Sequence, residues 1–388
     1  MSTIAHRVEP FSSTIFTEIN LLAQQYNALN LGQGKPDWET PPDIVEQLAR
    51  AVQSQQYNQY APGPGTLSLR QAIVDHTARF YDMHIDAARG VVVTAGATEG
   101  VFCAVMGLVN PGEEVIVIEP FYDSYLPAIV MAGAVPVCVP LHPPDWSFDP
   151  DELRAAFSSR TRALILNTPH NPSGRVFTRQ ELGMIAQLCI EHDVVAISDE
   201  VYEHLLFDDA MHIPIASLPG MFERTLTVSS AGKLFSATGW KIGWMYGVPG
   251  MVEGPARVHM FVTFAVHHPT QEAIAYALNL PDSYYASYQA MYSRKRSLML
   301  SALDDAGFAY SIPRGGYYVM ADYRHIFDGS PLDCVRYLTK EFGVDCIPPE
   351  SFYSPEHAHI GYGYIRFAFC KSDETLQQVH ERLARLRK

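Results

Sequence analysis

Positive charge is scarce in this sequence: 28 lysines and arginines stand against 42 aspartates and glutamates over 388 residues, a formal net charge of −14. A chain this acidic lacks the clustered cations that meet a phosphate backbone, so no nucleic-acid partner is expected, and any anionic ligand needs a local positive pocket. Long apolar runs are missing too. None approaches the roughly 18 residues of a membrane span, and the opening MSTIAHRVEPFSSTIF has no continuous apolar centre of an export signal. No membrane contact is expected, and the cytoplasm is the expected compartment. Cys103, Cys138, Cys189, Cys334, Cys346 and Cys370 stand singly, with no C-x-x-C pair, which reads as buried free thiols rather than disulfides or zinc ligands. Low-complexity tracts and internal repeats are absent.

What is present is ordinary globular material, 47% hydrophobic and 18% charged, with a mean hydropathy of −0.03. The length exceeds one small core and fits a large domain with a smaller partner. From Thr40, read as a helix cap before Pro41 and Pro42, helical and strand signals alternate. Helices are predicted to about Val52 and over Leu67–Tyr81, Thr98–Val109, Asp151–Phe157 and Thr178–His192. Short apolar runs at Gly90–Val93, Glu114–Ile118, Val135–Val139, Ala163–Leu166, Val194–Ile197, Thr225–Val228 and Ile242–Tyr246 read as buried strands. Together they predict an α/β fold whose mostly parallel sheet is covered by helices on both faces. After about Ser283 a long helix, RGGYYVMADY, a helix over Leu332–Phe342, the strand-like YIRFAFC and a helix over Asp373–Arg387 read as a smaller α+β domain. The expected division is an N-terminal arm over 1–40 that joins the small domain, a large domain over 41–284 and the small domain over 285–388.

Lys233 lies in TVSSAGKLFSATGWKIGW, in a loop of small residues after a predicted strand. A lone loop lysine is ordinarily a solvated charge. It does not belong to a P-loop, because Thr227 stands where that motif has glycine and Leu234 offers no hydroxyl to Mg²⁺. Gly63 and Gly65 lack the third glycine and the preceding strand of a dinucleotide fingerprint. The remaining chemistry is a Schiff-base lysine, whose ammonium must be lowered by burial and nearby cations such as Lys241. Context favours it: NTPHNPSG and ISDEVYEH also follow predicted strands, at the carboxyl ends where open α/β sheets bind ligands.

The ordered set GATEG at Gly96, NTPHNPSG at Asn167, SDEVY at Ser198, SSAGKLFSATGWKIGW at Ser229, RGGYY at Arg314 and IRFAF at Ile365 resembles the fold type I aminotransferases. These use pyridoxal 5′-phosphate (PLP), and the nearest branch is the kynurenine, glutamine and methionine aminotransferases. The resemblance covers nearly the whole chain. It implies that Lys233 carries the cofactor, Asp199 holds its pyridine nitrogen protonated, and Tyr202 and Asn171 bond its phenolic oxygen. It further implies phosphate contacts from Gly96, Ala97, Thr98, Ser230 and Lys241, ring contacts from Tyr122 and Val201, and Tyr60 reaching the partner subunit's phosphate in a homodimer with shared sites. Arg366, with Asn171 and Gly34, would take the substrate carboxylate.

Departures from the family pattern bear on specificity. LGQGKPDW puts Lys35 and Trp38 beside the expected substrate entrance, and VHHPTQ puts His267 near the pocket; the His267–His268 pair lacks a third ligand, so no metal is expected. Lacking a second arginine for a side-chain carboxylate, the chain is expected to take neutral, bulky amino acids and a 2-keto acid. A β-lyase shares the first half-reaction but needs no amino acceptor. A non-catalytic amino-compound sensor of this fold would call for a DNA-binding segment, and no basic patch suits one.

Overall fold

The structure, a computed structural model, describes residues 4–9, 11 and 15–387. Among them the strands are β1 Leu29–Asn30, β2 Val91–Thr94, β3 Glu114–Glu119, β4 Val135–His142, β5 Ser147–Phe148, β6 Thr161–Asn167, β7 Val195–Asp199, β8 Thr225–Ser230, β9 Gly243–Tyr246, β10 Ala309–Tyr310, β11 Tyr318–Asp322, β12 Val344–Asp345 and β13 Tyr364–Ala368. The helices are α1 Ile15–Gln25, α2 Pro42–Gln53, α3 Leu67–Tyr81, α4 Gly96–Leu108, α5 Tyr125–Met131, α6 Pro150–Ala155, α7 Arg179–Glu191, α8 Ala231–Leu234, α9 Pro249–Val262, α10 His268–Leu278, α11 Asp282–Ala306, α12 Pro331–Tyr337 and α13 Asp373–Leu383.

Eight strands form one sheet in the order β2-β9-β8-β7-β6-β3-β4-β5. Strands β8, β7, β6, β3 and β4 run parallel, while β9 opposes β8 and β2, and β5 opposes β4. Successive side chains point to opposite faces of a strand. Ile116, Ile118, Leu164, Leu166 and Ala196 pack into one core, and Val115, Val117, Ala163, Ile165, Val195 and Ile197 into the other. Because both faces are covered, the strands read as unbroken apolar runs rather than as alternating ones.

Both chain ends build the second layer. β1 pairs in parallel with β12, and β10, β11 and β13 form an antiparallel sheet. The Leu31 amide donates to the Asp345 carbonyl at 3.1 Å, and the Ala368 amide donates to the Leu31 carbonyl at 2.7 Å, which sews the two ends together. Three expected features differ. Thr40 does not cap: its hydroxyl donates to the Ser236 carbonyl at 3.1 Å, and α2 starts at Pro42, whose fixed φ presets the first turn. The helix expected through Phe342 leaves the α form at Tyr337 for a π-helical turn over Leu338–Phe342. Lys233 lies in the short helix α8 rather than in a loop.

Candidate active site

Register alone gathers the site. Asn167 pairs with Asp199 across β6 and β7, Ser230 with Gly243 across β8 and β9, and Thr94 with Gly243 across β2 and β9. The carboxyl ends of β2, β6, β7 and β8 and the start of β9 therefore share one sheet edge. From this edge α4 begins at Gly96 and α8 carries Lys233. Gly243 permits the close approach, since a Cβ there would lie 2.6 Å from the Ala97 nitrogen.

A cavity of ≈ 260 Å³ opens there, lined by Gly96, Ala97, Thr98, Tyr122, Asn171, Asp199, Val201, Tyr202, Ser230, Lys233 and Lys241, with Asn167, Tyr125 and Tyr318 among the further walls. Lys233 Nζ stands 5.6 Å from the Tyr317 ring centroid and 5.9 Å from that of Tyr202. Its helix is braced from α11, where Tyr288 donates to the Lys233 carbonyl and Tyr284 donates to the Leu234 carbonyl at 3.1 Å. Burial lowers the Lys233 ammonium from the usual lysine range; Cys370 and Asp199 oppose that shift, and Lys241 and Arg366 add to it. Asp199, 4% exposed, continues the face of Val195 and Ile197. Burial pushes its carboxyl up to about 6, although the Tyr125 hydroxyl, donating at 2.6 Å, and the Val201 amide favour the ionised form.

Beside the cavity lies Arg366 of β13, which does not line it but bonds to Asn171, which does. The Arg366 guanidinium donates to Asn171 Oδ1 at 2.9 Å and to the Gly32 carbonyl at 2.7 Å, and lies 4.2 Å over the Tyr318 ring. Asn171 is itself set by its amide bond to Asn167 Oδ1, 2.8 Å. The backbone partner of the arginine is thus the Gly32 carbonyl. The Gly34 carbonyl accepts from Tyr317 at 2.8 Å, and a Cβ at Gly34 would collide with Tyr318.

With this geometry in view, comparison with known proteins decides the family. Residues 26–383 match the family "Aminotransferase class I and II". A kynurenine–oxoglutarate transaminase of Dictyostelium discoideum is 39% identical over 97% of this chain and 95% of its own length. The solved N-succinyldiaminopimelate aminotransferase of Mycobacterium tuberculosis superposes with a TM-score of 0.95 at 42% identity, covering 99% of this chain and all of that one. A methionine aminotransferase of Escherichia coli gives 0.94 at 36% identity, with 99% and 100% covered. This chain is a class I and II aminotransferase.

PLP is the cofactor of the family and of this aminotransferase. The residues present fit the group. A half-buried amine and a buried carboxylate face one cavity, and the amine is flanked by aromatic walls. At the phosphate end, Gly96 holds φ +80° and a Cβ there would lie 3.2 Å from Lys241 Nζ, so glycine keeps open the space between that cation and the first turn of α4. Lys241 itself adopts φ +53°, a backbone state rare outside glycine, directly before β9. Amides at a helix start with an adjacent lysine and Ser230 suit a phosphate.

Other expected residues of the aminotransferase do not meet the cavity within one chain. Tyr60 is 83% exposed, its ring edge against Phe264 at 5.4 Å. Trp38 Nε1 donates to Ser236 Oγ at 3.1 Å, and the Lys295 ammonium sits 4.4 Å over its ring. Lys35 and His267 are exposed. The two histidines turn apart, His267 Nδ1 to Thr270 Oγ1 at 2.6 Å and His268 Nδ1 to the Gln59 carbonyl at 3.1 Å. A different trio, His76, Glu203 and His204, brings ligand atoms within 4.8 Å of one another. Its two Nε2 atoms already share a 2.8 Å hydrogen bond and Glu203 accepts from Ser229 at 2.8 Å, so the trio is satisfied as it stands.

Sequence reasoning missed Tyr125, Asn167, Tyr318 and Gly32. Asn167 and Tyr318 lie inside the motifs NTPHNPSG and RGGYY, and Tyr125 lies three residues beyond Tyr122, at the start of α5.

Proposed function

We propose that this aminotransferase moves the α-amino group of a neutral, bulky amino acid, such as methionine, glutamine or an aromatic one, to a 2-keto acid in a ping-pong reaction. The cavity wall carries this reading. Tyr122, Tyr202 and Tyr318 line it, and its lining cations are Lys233 and Lys241, which the cofactor claims. A side-chain carboxylate would find no guanidinium beyond Arg366.

Bound PLP supplies an aldehyde and an electron-withdrawing ring that stabilises charge at the substrate α-carbon. In this reading Asp199 keeps the pyridine nitrogen protonated, Tyr202 and Asn171 bond the phenolic oxygen, and Tyr122 and Val201 enclose the ring. Gly96, Ala97, Thr98, Ser230 and Lys241 hold the phosphate. Arg366 grips the substrate carboxylate as a fork and so aims the α-hydrogen at Lys233. Lys233 Nζ, lowered by its surroundings, would take the α-proton as base and deliver it as acid to the former aldehyde carbon of the cofactor.

We further propose a homodimer. Tyr60, Phe261, Val262 and Phe264 expose an apolar face beside the cavity rim, with Phe261 90% exposed, and a second copy covering it would bring Tyr60 to the partner's phosphate. Six unpaired cysteines suit a reducing compartment such as the cytoplasm. The deciding experiment is an activity matrix of amino acids against keto acids on purified, PLP-loaded protein, including kynurenine, methionine and N-succinyldiaminopimelate, the substrates named for its relatives. Turnover should need both partners. A strong preference for aspartate would overturn the substrate class, and product release without any keto acid would favour a β-lyase.

A further inference from the structure

The first turn of α4 carries an acid where the fold reading needs an anion site. Glu99 is the fourth residue of α4, and its carboxylate folds back to accept the Ala95 amide, alongside the Gly96–Thr98 segment assigned to the phosphate. An acid in that turn suits the helix dipole but repels a bound phosphate. On its other oxygen, Glu99 meets His259 Nδ1 at 2.7 Å, and His259 Nε2 stands 3.0 Å from the Gly63 carbonyl. The histidine side chain is 1% exposed and that of Glu99 9%.

Both ring nitrogens of His259 therefore face acceptors. A carbonyl oxygen accepts only, so Nε2 carries a proton. Glu99 is held as a carboxylate: burial alone would raise it, but hydrogen bonds from His259, the Ala95 amide and Thr263 outweigh burial and bring it below the usual range. At 2.7 Å Nδ1 and the Glu99 oxygen share a proton between them, so with Nε2 also protonated the pair as a whole carries no net charge.

We propose that His259 is a positioning residue for the cofactor: it cancels the charge of Glu99 in the first turn of α4 and pins that turn to the Gly63 loop, leaving the helix start attractive to phosphate. The inference rests on the assignment of Gly96–Thr98 to the phosphate. It differs from a plain packing role in one respect: the harm of losing His259 comes from the carboxylate left behind, because stripping one partner from a buried ion pair costs more than removing both.

The test uses purified protein, resolved of cofactor and titrated with PLP by absorbance, in wild type, His259→Gln, Glu99→Gln and the double variant. The expected PLP dissociation constant rises about ten-fold or more in His259→Gln, stays within about three-fold of wild type in Glu99→Gln, and returns to within about three-fold in the double variant. Turnover at saturating PLP should remain near wild type throughout. An affinity unchanged in His259→Gln, or a double variant as weak as that single one, overturns the proposal. Should His259→Gln not fold, the double variant must match Glu99→Gln, and a ten-fold gap between them overturns it equally. Unchanged PLP affinity in both Gly96→Ala and Thr98→Ala would instead refute the phosphate assignment itself.

Discussion

The sheet edge and the rim around it were both expected to supply active-site residues, and they behave differently. At the edge, strand register sets Asn167, Asp199 and Ser230 side by side, and the short segment between β8 and β9 carries Lys233 and Lys241 into the same cavity. At the rim, Tyr60, Lys35, Trp38 and His267 lie on connecting segments, and none of them lines that cavity within one chain. Residues placed by hydrogen-bonded strands need only their own chain. Those on loops and helix ends are not brought to the cavity by their own chain, and in the proposed dimer a second copy would supply the missing surface.

The sharpest way to break the comparison is at the edge. Lys233→Ala should lower turnover by more than about 10⁴-fold while leaving PLP bound without a covalent link, so that borohydride fixes cofactor to wild type alone. Robust transamination by that variant without an added amine would falsify the role of Lys233. Arg366→Ala should lower kcat/KM for the amino acid by roughly 10² to 10³, through loss of a buried charged fork, with the PLP dissociation constant unmoved. If PLP affinity fell in step, the carboxylate and cofactor ends of the cavity would not be separable.

Asp199→Asn tests the electrostatics of the edge in the cofactor-free protein. The folded-state carboxyl is raised to about 6, so the fold favours its protonated form. The resulting penalty is absent below the ordinary aspartate value, grows as pH rises towards 6 and is complete above it. Asparagine removes that penalty: thermal or denaturant unfolding at pH 8 should show a gain of up to about 3 kcal/mol, vanishing near pH 4. A loss of stability at pH 8 would contradict the burial argument.

The rim should respond least. Tyr60→Phe is expected to weaken PLP by on the order of ten-fold, the worth of one hydrogen bond to a charged group, and only at protein concentrations where sedimentation shows a dimer. Trp38→Phe, which loses the bond to Ser236, should shift KM by about three-fold. A Tyr60→Phe protein identical to wild type at every concentration would place the rim outside the site.

Much of the edge was legible in the sequence. Buried parallel strands read as apolar runs, and the polar residues that end two of them, Asp199 and Ser230, stand out against that background. The partners that orient them were less visible. Tyr125 and Tyr318 look like any core aromatics until their contacts are known, and the bond from Arg366 to the Gly32 carbonyl depends on a loop path that no periodicity encodes. His259 and Glu99 lie 160 positions apart in sequence, and nothing local marks them as a pair.

The sequence by itself determined the layered α/β class, the strand ends that carry chemistry, and the motif set that marks the family, because these rest on local pattern and residue type. Tertiary structure decided which charges face each other. It set the Lys233 amine beside aromatic rings, raised Asp199 by desolvation, and set His259 against the acid in the first turn of α4. Such effects depend on distance and burial, which fall off over a few ångströms and can be fixed only once distant segments of the chain have packed together.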